Sequence, residues 1–307
     1  KVLKGKQRAF VVGPASHTFL VRKYFGDFFA ALFRSNDPMY TVGINAEGPQ
    51  WNQLYKQLCL WGGKQMRCGD QSEYDGGVPA EAAMALAECA NAFYDDSEEN
   101  RAARRVLCAE MYSPVHLFFS RKYRVWLAYV VSHGNPSGNV ATTILNSWTN
   151  AFYMRLAFMD IGADLYTRGK IPTIPTMRLY NENVTEAYYG DDDAGESSTL
   201  VPWFNMVNIQ AALGKRGWKY TSAAKNGELQ EFQDISEATY LKRGFVPHPE
   251  YPEDITLAPL ALAPIRELVN WHKKCNDPIG AQANNLRDFA RFMSMYPEPM
   301  YNEEVAK

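Results

Sequence analysis

The stretch Tyr188–Asp193, Tyr-Tyr-Gly-Asp-Asp-Asp, carries the strongest signal for fold and chemistry in this 307-residue chain. A Gly-Asp pair between the segment Asn183–Tyr189 and the residues that return from it predicts the tight turn of a β-hairpin. Adjacent carboxylates at a hairpin tip repel one another unless a cation neutralises them. Carboxylate oxygens are ligands that Mg²⁺ prefers, with substrate phosphates completing its coordination. The stretch therefore indicates either a magnesium site or an acidic turn that water solvates.

A second pair of carboxylates, Asp70 and Asp75, lies in the segment Asp-Gln-Ser-Glu-Tyr-Asp. Asp70 ends a predicted strand that begins at Met66. Asp75 comes just before a predicted helix that opens at Gly76 and runs to about Tyr94. Carboxylates from two elements can hold two metal ions about 4 Å apart, which stabilise the attacking and leaving oxygens of a phosphoryl displacement. The alternative interpretation is a helix-capping aspartate next to a surface charge.

Polar residues also stand at the start of a long apolar helix that we predict over Ala141–Met159. Thr142 and Asn146 are four residues apart, so they share one face of this helix. Such residues are poor choices for an apolar helix unless they face a polar partner. A hydroxyl and an amide on that face could recognise the ribose 2′-hydroxyl that distinguishes RNA from DNA. The alternative is a polar helix face capped by Ser137, which precedes Gly138 in the loop before the helix.

The remaining pattern favours an α+β fold with an antiparallel sheet over a doubly wound parallel fold, because strands and helices alternate without a βαβ rhythm. Apolar residues recur at helical spacing over Thr18–Phe33. We further predict helices over Trp203–Leu213, Ile265–Cys275 and Gln282–Met295, and strands over Trp218–Thr221 and Ala238–Phe245.

Composition excludes several classes of protein. With 46% hydrophobic and 21% charged residues, the chain is neither disordered nor collagen-like. No apolar run reaches the length of about 18 residues that a transmembrane helix needs. Five cysteines without a Cys-x-x-Cys motif argue against a disulfide framework or a zinc knuckle and favour a reducing compartment. The sequence also lacks the glycine-rich motifs of Rossmann and P-loop nucleotide sites.

Charge is unevenly distributed although the formal net charge is only −2. Residues 1–34 hold seven basic residues and one acidic residue, whereas residues 182–198 hold six acidic residues and no basic one. The basic end suits a polyanion and the acidic segment suits a cation, although two solvated surfaces would account for both. Because the first residue is Lys1 rather than Met, we expect the chain to be part of a longer product.

In their order along the chain, these features resemble the RNA-dependent RNA polymerases of positive-strand RNA viruses, specifically the picornavirus-like group. The basic segment Gly5–Arg8 precedes them and Thr239–Arg243 follows them. The resemblance covers essentially the whole chain. It implies a right-hand polymerase palm whose central antiparallel sheet packs on helices, with partial fingers and a small helical thumb. The implied bounds are 1–65 for the fingers, 66–250 for the palm with a fingers insertion around 95–130, and 251–307 for the thumb.

The resemblance also implies roles for the acidic residues. Asp70 would bind metal, Asp191 would be the principal second metal ligand, and Asp192 would be auxiliary. Asp75 would help to recognise the ribose 2′-hydroxyl.

Other implied roles belong to the loop and helix that position template and ribose, and to basic residues. The residues of the loop and helix are Ser137, Gly138, Thr142 and Asn146. Lys6 and Arg8 would contact the incoming triphosphate, and Lys225 would protonate the leaving pyrophosphate. Lys242 and Arg243 would hold the primer strand.

The implied cofactor is Mg²⁺, with Mn²⁺ able to substitute, and the implied partners are an RNA template and primer and NTPs. A protein primer and other viral replication proteins are further expected partners, at membrane-associated replication complexes in the host cytoplasm. The alternatives are a reverse transcriptase-like palm polymerase and a non-catalytic RNA-binding palm fragment. We favour ribonucleotides because Asp75 and Asn146 offer hydrogen-bond partners to a 2′-hydroxyl. A metal hydrolase is less consistent, since the five histidines form no metal-binding cluster in the sequence.

Overall fold

The computed structural model describes residues 11, 13–35, 39–135, 137–223, 229–271 and 274–306, apart from the side chain of Asp75. Its α-helices are α1 (Ala15–Arg34), α2 (Pro49–Leu58), α3 (Ala80–Phe93), α4 (Glu98–Tyr112), α5 (Thr142–Thr167), α6 (Met177–Asn183), α7 (Met206–Lys215), α8 (Leu262–Leu268), α9 (Pro278–Met293) and α10 (Glu298–Val305). Its strands are β1 (Met66–Ser72), β2 (Val115–Ser120), β3 (Val125–Val130), β4 (Ala187–Tyr189), β5 (Asp192–Glu196), β6 (Lys219–Ser222), β7 (Val246–Pro247) and β8 (Thr256–Leu257).

The central sheet has four antiparallel strands in the order β4-β5-β1-β6. Side chains alternate between its two faces along each strand. Met66 and Cys68 of β1 pack with Trp51 of α2 on one face, which we call the α2 face. Gln71 of β1 donates to Asn150 of α5 on the other, which we call the α5 face. Because of this alternation, Asp192 projects on the α2 face and Asp193 on the α5 face.

The main hydrophobic core lies on the α5 face, where α5 packs against α3, α7 and β4. Buried residues of α5 lie on several sides of the helix, so its apolar residues are not confined to one stripe. The α2 face is covered by a smaller cluster. A third cluster, centred on Ile265, Phe289 and Met293, joins α8 to α9. Asp70 and Asp192 lie opposite one another at one end of the sheet.

Gly69 permits a close approach on the α5 face of β1. A Cβ atom at this position would lie 2.1 Å from the ring of Tyr220. The absent side chain lets Tyr220 cross over β1 and reach β5, where its hydroxyl bonds to Asp193. The packing of two strands thus depends on a glycine in a strand interior.

Several predicted elements are confirmed, including the hairpin at the acidic stretch, the helix in the region Thr18–Phe33 and the antiparallel sheet. The strand predicted over Ala238–Phe245 is wrong. Its centre is a tight turn in which Tyr240 and Arg243 exchange two backbone hydrogen bonds of 2.9 Å. The two residues between them, Leu241 and Lys242, have φ angles of 52° and 63°. The chain reverses at the centre of the predicted strand, and the two central positions of the turn are not glycines.

Helix bounds differ from the predictions where tertiary packing extends or interrupts the helix. The helix expected over Ile265–Cys275 ends at Leu268, and α5 continues eight residues past Met159. Residues 95–130, the expected fingers insertion, form α4 and the β2–β3 hairpin. The domain bounds themselves stay a prediction. Within the described ranges, no helix combines the length and apolar character needed to cross a membrane.

Candidate active site

The acidic stretch forms the turn between β4 and β5, in which Gly190 and Asp191 link the paired residues Tyr189 and Asp192. Gly190 has a φ of 66°, a conformation that glycine adopts without steric cost. Asp191 is exposed in the turn, Asp192 is partly exposed at the start of β5, and Asp193 is buried. The three adjacent carboxylates therefore occupy three different environments.

Strand pairing brings Asp70 next to this turn. Asp70 lies directly opposite Asp192 in the β1–β5 pair, so both side chains project on the α2 face. The backbone N–H of Gln71 donates to the carbonyl of Asp191 at 3.2 Å. Asp70 is 9% exposed, which leaves it at the edge of the core rather than inside it. The structure thus gathers Asp70, Asp191 and Asp192 at one end of the sheet.

The donor chemistry of these residues fits Mg²⁺. Carboxylate oxygens are the hard ligands that this ion selects, and Mg²⁺ sites in nucleotide enzymes commonly use one or two carboxylates with waters and substrate phosphates. Across the part of the chain that the structure describes, no three His, Cys, Asp or Glu residues are close enough to form a complete metal cage. Asp70, Asp191 and Asp192 therefore offer carboxylate oxygens of the kind that Mg²⁺ selects.

Helix α5 holds the turn through two residues to which the sequence analysis assigned no role. The hydroxyl of Ser147 accepts the Gly190 N–H at 2.8 Å. The Nδ2 of Asn150 lies 3.3 Å from the carbonyl oxygen of Gly190 and 3.1 Å from that of Asp191. Both residues are fully buried. The sequence did contain a signal for this contact. Ser147 and Asn150 are polar residues that follow Asn146 by one and four positions in a helix predicted to be largely buried.

Asp193 belongs to a different cluster, on the α5 face. Its Oδ2 accepts from the Tyr220 hydroxyl at 3.0 Å. Burial raises the pKa of Asp193 to about 7, although the Arg67 guanidinium and the Tyr220 hydrogen bond oppose that rise. Arg67 is itself buried, donates to the Thr185 carbonyl at 3.1 Å and stacks over the Phe204 ring. The third aspartate of the acidic stretch therefore belongs to the packing behind the site.

The predicted ribose-binding residues lie at the start of α5, as expected. Oδ1 of Asn146 accepts from Nδ2 of Asn135 at 2.7 Å, and its backbone carbonyl accepts from the Tyr74 hydroxyl at 2.8 Å. The Thr142 hydroxyl donates to the Asn139 carbonyl at 2.7 Å. The alternative in which Ser137 caps the helix is wrong, because the cap position is Ala141 and Asn139 supplies the nearby side-chain bond. Asn135 and Tyr74 are further contacts that the sequence analysis did not include.

The two basic residues predicted to hold a primer are arranged differently from one another. Lys242 is exposed at the tip of its turn. Arg243 points inward, donates to the Ala258 carbonyl at 2.8 Å, lies 3.4 Å from a carboxylate oxygen of Glu47 and packs over the Phe292 ring. Lys242 therefore faces solvent, whereas Arg243 joins the turn to α9.

Four predicted site residues fall wholly or partly outside the described structure. Lys6, Arg8 and Lys225 lie outside the described residues. Asp75 lies in a 3₁₀ turn over Tyr74–Gly76, which residues 77–79 connect to α3, but its side chain is not described. Their roles stay predictions. Ser137 and Gly138 lie in the loop that leads into α5, with Ser137 exposed.

Comparison with known proteins places these observations in one family. Residues 1–304 match the family model of viral RNA-dependent RNA polymerases. The chain is 30% identical over 307 residues to a replicase polyprotein of acute bee paralysis virus, covering 99% of this chain and 16% of the polyprotein. It is 31% identical over 288 residues to the replicase polyprotein of cricket paralysis virus, covering 91% of this chain and 16% of that protein. The chain thus spans about a sixth of these curated relatives.

The fold agrees with that of a solved polymerase. The structure of a Sicinivirus 3Dpol RNA dependent RNA polymerase matches with a TM-score of 0.73 at 20% identity, covering 92% of this chain and 53% of that one. The predicted α+β class, with the central antiparallel sheet of a right-hand polymerase, is therefore confirmed, as is the resemblance to polymerases of picornavirus-like viruses. Since the family model matches nearly the whole sequence, this chain belongs to the viral RNA-dependent RNA polymerase family.

Proposed function

We propose that this chain forms the catalytic palm of an RNA-dependent RNA polymerase that transfers nucleotides from NTPs to an RNA 3′-hydroxyl during viral genome replication. The observation that carries the proposal is the pairing of Asp70 with Asp192, beside the exposed Asp191, at one end of the central sheet. This arrangement offers carboxylates from two strands to one region of solvent. Such carboxylates are what two-metal nucleotidyl transfer requires.

In this proposal Asp70, Asp191 and Asp192 hold Mg²⁺, for which Mn²⁺ can substitute. When bound, the metal ions supply activation of the 3′-hydroxyl and stabilisation of charge on the transferred phosphoryl group. The protein contributes a fixed orientation of its carboxylates. Because Asp70 and Asp192 are held by backbone pairing on two strands, their relative position does not depend on loop conformation.

Nucleotide selection is assigned to residues at the start of α5 and to Asp75. Oδ1 of Asn146 accepts from Asn135, and its side-chain amide is of the chemical type that hydrogen-bonds a ribose hydroxyl. Thr142 lies one helical turn earlier on the same face. Ser137 and Gly138 form part of the loop beside them and are assigned to positioning of the template. A site with such donors and acceptors favours ribonucleotides over deoxyribonucleotides.

Basic residues are assigned to the anionic parts of the substrates. Lys6 and Arg8 would bind the incoming triphosphate and Lys225 would donate a proton to the leaving pyrophosphate, as in the polymerases that the sequence resembles. Lys242 is assigned to the primer strand because it is exposed at the tip of its turn. Arg243 supports that turn through its contacts to Ala258 and Phe292.

Partners and location are assigned by analogy with the family that the chain resembles. We propose RNA template, RNA primer and NTPs as ligands, with a protein primer and other viral replication proteins as partners. Membrane-associated replication complexes in the host cytoplasm are the proposed location. Fingers, palm and thumb are proposed at 1–65, 66–250 and 251–307.

Primer extension by the natural polymerase that contains this chain tests the proposal. We expect metal-dependent incorporation of rNTPs on primed RNA, lost in Asp191→Asn and kept in the control Asp164→Asn, a partly exposed aspartate paired with Arg168 on α5. Faster incorporation of dNTPs would favour the reverse transcriptase-like alternative. A folded protein that binds RNA without extending a primer would favour the non-catalytic one.

Asp75→Ala tests the assignment of sugar selection. Loss of one hydrogen bond to the 2′-hydroxyl corresponds to about a tenfold decrease in the preference for rNTPs over dNTPs. The ratio of kcat/KM values for the two nucleotides measures this preference. An unchanged ratio in an active Asp75→Ala enzyme would remove Asp75 from the ribose site.

A further inference from the structure

The turn that carries Asp191 is held from outside its own hairpin. Three backbone groups of the turn have such partners: the Gly190 N–H, the Gly190 carbonyl and the Asp191 carbonyl. Ser147 binds the first and Asn150 lies within hydrogen-bond distance of the other two. The Asp191 carbonyl also accepts from the backbone N–H of Gln71 on β1. The orientation of the turn is therefore set by α5 and β1 together.

The side chains that hold the turn are themselves fixed by further bonds. Ser147 donates its own hydroxyl hydrogen to the Thr143 carbonyl at 2.8 Å, which leaves its oxygen lone pairs directed at Gly190. Oδ1 of Asn150 accepts from Nε2 of Gln71 at 3.3 Å, so its Nδ2 faces the turn. All three side chains are buried, where a lost partner leaves a polar group unsatisfied. The donor and acceptor atoms of these side chains are therefore fixed in orientation, and breaking one of the hydrogen bonds would be energetically unfavourable.

These contacts lie one helical turn from the residues assigned to the ribose. Asn146 and Asn150 are four residues apart, and Ser147 is adjacent to Asn146. Asn146 bonds to Asn135 and Tyr74, whereas Ser147 and Asn150 bond to the acidic turn. One segment of α5 therefore contains both the residue assigned to the ribose, Asn146, and the two residues that bind the acidic turn, Ser147 and Asn150.

We propose that Ser147 and Asn150 are positioning residues for Asp191, which act by fixing the backbone of the Gly190–Asp191 turn. They do not contact the reacting atoms. Because nucleotide binding is assigned to other residues, their loss is expected to reduce kcat while the KM for NTP stays the same. A displaced carboxylate also binds metal less well, so more Mg²⁺ is expected to be needed for half-maximal activity. This inference rests on the proposed polymerase function.

The test compares Ser147→Ala with Ser197→Ala in the natural polymerase that contains this chain. Ser197 is a similarly buried serine whose hydroxyl donates to the Phe204 carbonyl at 2.7 Å. It directly follows β5, at the end of the strand that is far from the turn. Ser147→Ala loses two buried hydrogen bonds of its hydroxyl and Ser197→Ala loses one, so Tm is expected to fall in both variants and by more in Ser147→Ala. Only Ser147→Ala is expected to lower kcat, by about 10-fold to 10²-fold, the scale of a slightly misplaced catalytic group.

Two further variants separate positioning from general damage. Ser147→Thr keeps the hydroxyl and is expected to recover most of the kcat that Ser147→Ala loses. Asn150→Leu removes the amide near the two carbonyls and is expected to repeat the kinetic pattern of Ser147→Ala. If both Ser147→Ala and Asn150→Leu match Ser197→Ala in kcat and Mg²⁺ requirement, while Asp191→Asn is inactive, the positioning role is wrong and the polymerase function stands.

Hydrogen exchange at the Gly190 amide gives a readout that needs no activity. Ser147→Ala is expected to accelerate this exchange, because the N–H loses its acceptor, whereas Ser197→Ala leaves it unchanged. If the wild-type protein extends no primer, the proposed function fails on that result. Exchange at Gly190 that is equal in the two variants would overturn the inference independently.

Discussion

Two hairpins in this protein differ in how far the rest of the chain covers them. The β4–β5 hairpin is short, yet it pairs with β1, packs on α5 and has its turn bonded by Ser147 and Asn150. The β2–β3 hairpin has six paired positions on each strand, yet Leu117 and Trp126 are each 69% exposed. Among the described residues its sheet has two strands only. Strand pairing alone therefore does not bury a hairpin, since the β2–β3 hairpin has more paired residues and is mostly exposed. The β4–β5 hairpin is held in place by packing and by side-chain hydrogen bonds.

The largest expected difference concerns chemistry. Asp70→Asn removes a carboxylate charge from the strand beside the β4–β5 turn, and we expect nucleotide incorporation to fall by at least about 10² to 10³-fold, as when a preorganised charge-stabilising group is lost. Asp95→Asn, an exposed residue in the loop before α4, is the control and is expected to retain activity. Single-turnover primer extension measures both. Comparable rates for the two variants would contradict the assignment of Asp70.

The next difference concerns burial. Leu58 packs in the same cluster as Ala187 and Ala194 of the β4–β5 hairpin, and it is fully buried. Leu58→Ala is expected to lower the free energy of unfolding by about 2–5 kcal/mol. Leu117→Ala on the β2–β3 hairpin removes the same atoms from an exposed position and is expected to change it by less than about 0.5 kcal/mol. Denaturant titration of the two variants measures the contrast, and equal losses would show that Leu117 is covered.

Close packing across the central sheet predicts a smaller effect. Gly69→Ala would place a Cβ against the Tyr220 ring, so we expect a loss of about 1–3 kcal/mol in unfolding free energy. Gly26→Ala in α1 is the matched substitution, because no atom lies within 4 Å of a Cβ there. Helix propensity predicts a gain of about 0.5–1 kcal/mol for it. Thermal unfolding of both variants should give shifts of opposite sign, and a loss at both positions would contradict the packing argument.

The smallest expected difference compares one hydroxyl in each hairpin. The Tyr188 hydroxyl in β4 donates to Glu186 at 2.7 Å within a buried cluster, so Tyr188→Phe is expected to cost about 1 kcal/mol. The Tyr129 hydroxyl in β3 lies 3.1 Å from Nδ1 of His116 in an exposed position. Tyr129→Phe is expected to change the unfolding free energy by less than about 0.5 kcal/mol. A larger loss at Tyr129 would reverse the ranking of the two hairpins.

Long periodic segments were predictable because their burial pattern is local. The helices predicted over Thr18–Phe33 and from Ala141 onward are confirmed by α1 and α5, although α5 continues eight residues past the predicted end. The predicted strand over Ala238–Phe245 is wrong because the chain reverses between Tyr240 and Arg243. Its two central residues adopt positive φ angles that no sequence rule for Leu or Lys predicts. Contacts with Ala258 and Phe292 hold Arg243 at the end of that turn.

The sequence by itself determined the order of the acidic and polar motifs, the hairpin turn at Gly190 and the family to which the chain belongs. Those features depend on residue type and local spacing, which the sequence contains directly. The tertiary structure decided that Asp192 faces Asp70 while Asp193 is buried against Tyr220. It also decided that α5 holds the turn of Gly190 and Asp191. Strand register and helix docking join residues that are far apart in the chain, and a shift of one position would exchange the two faces of the sheet.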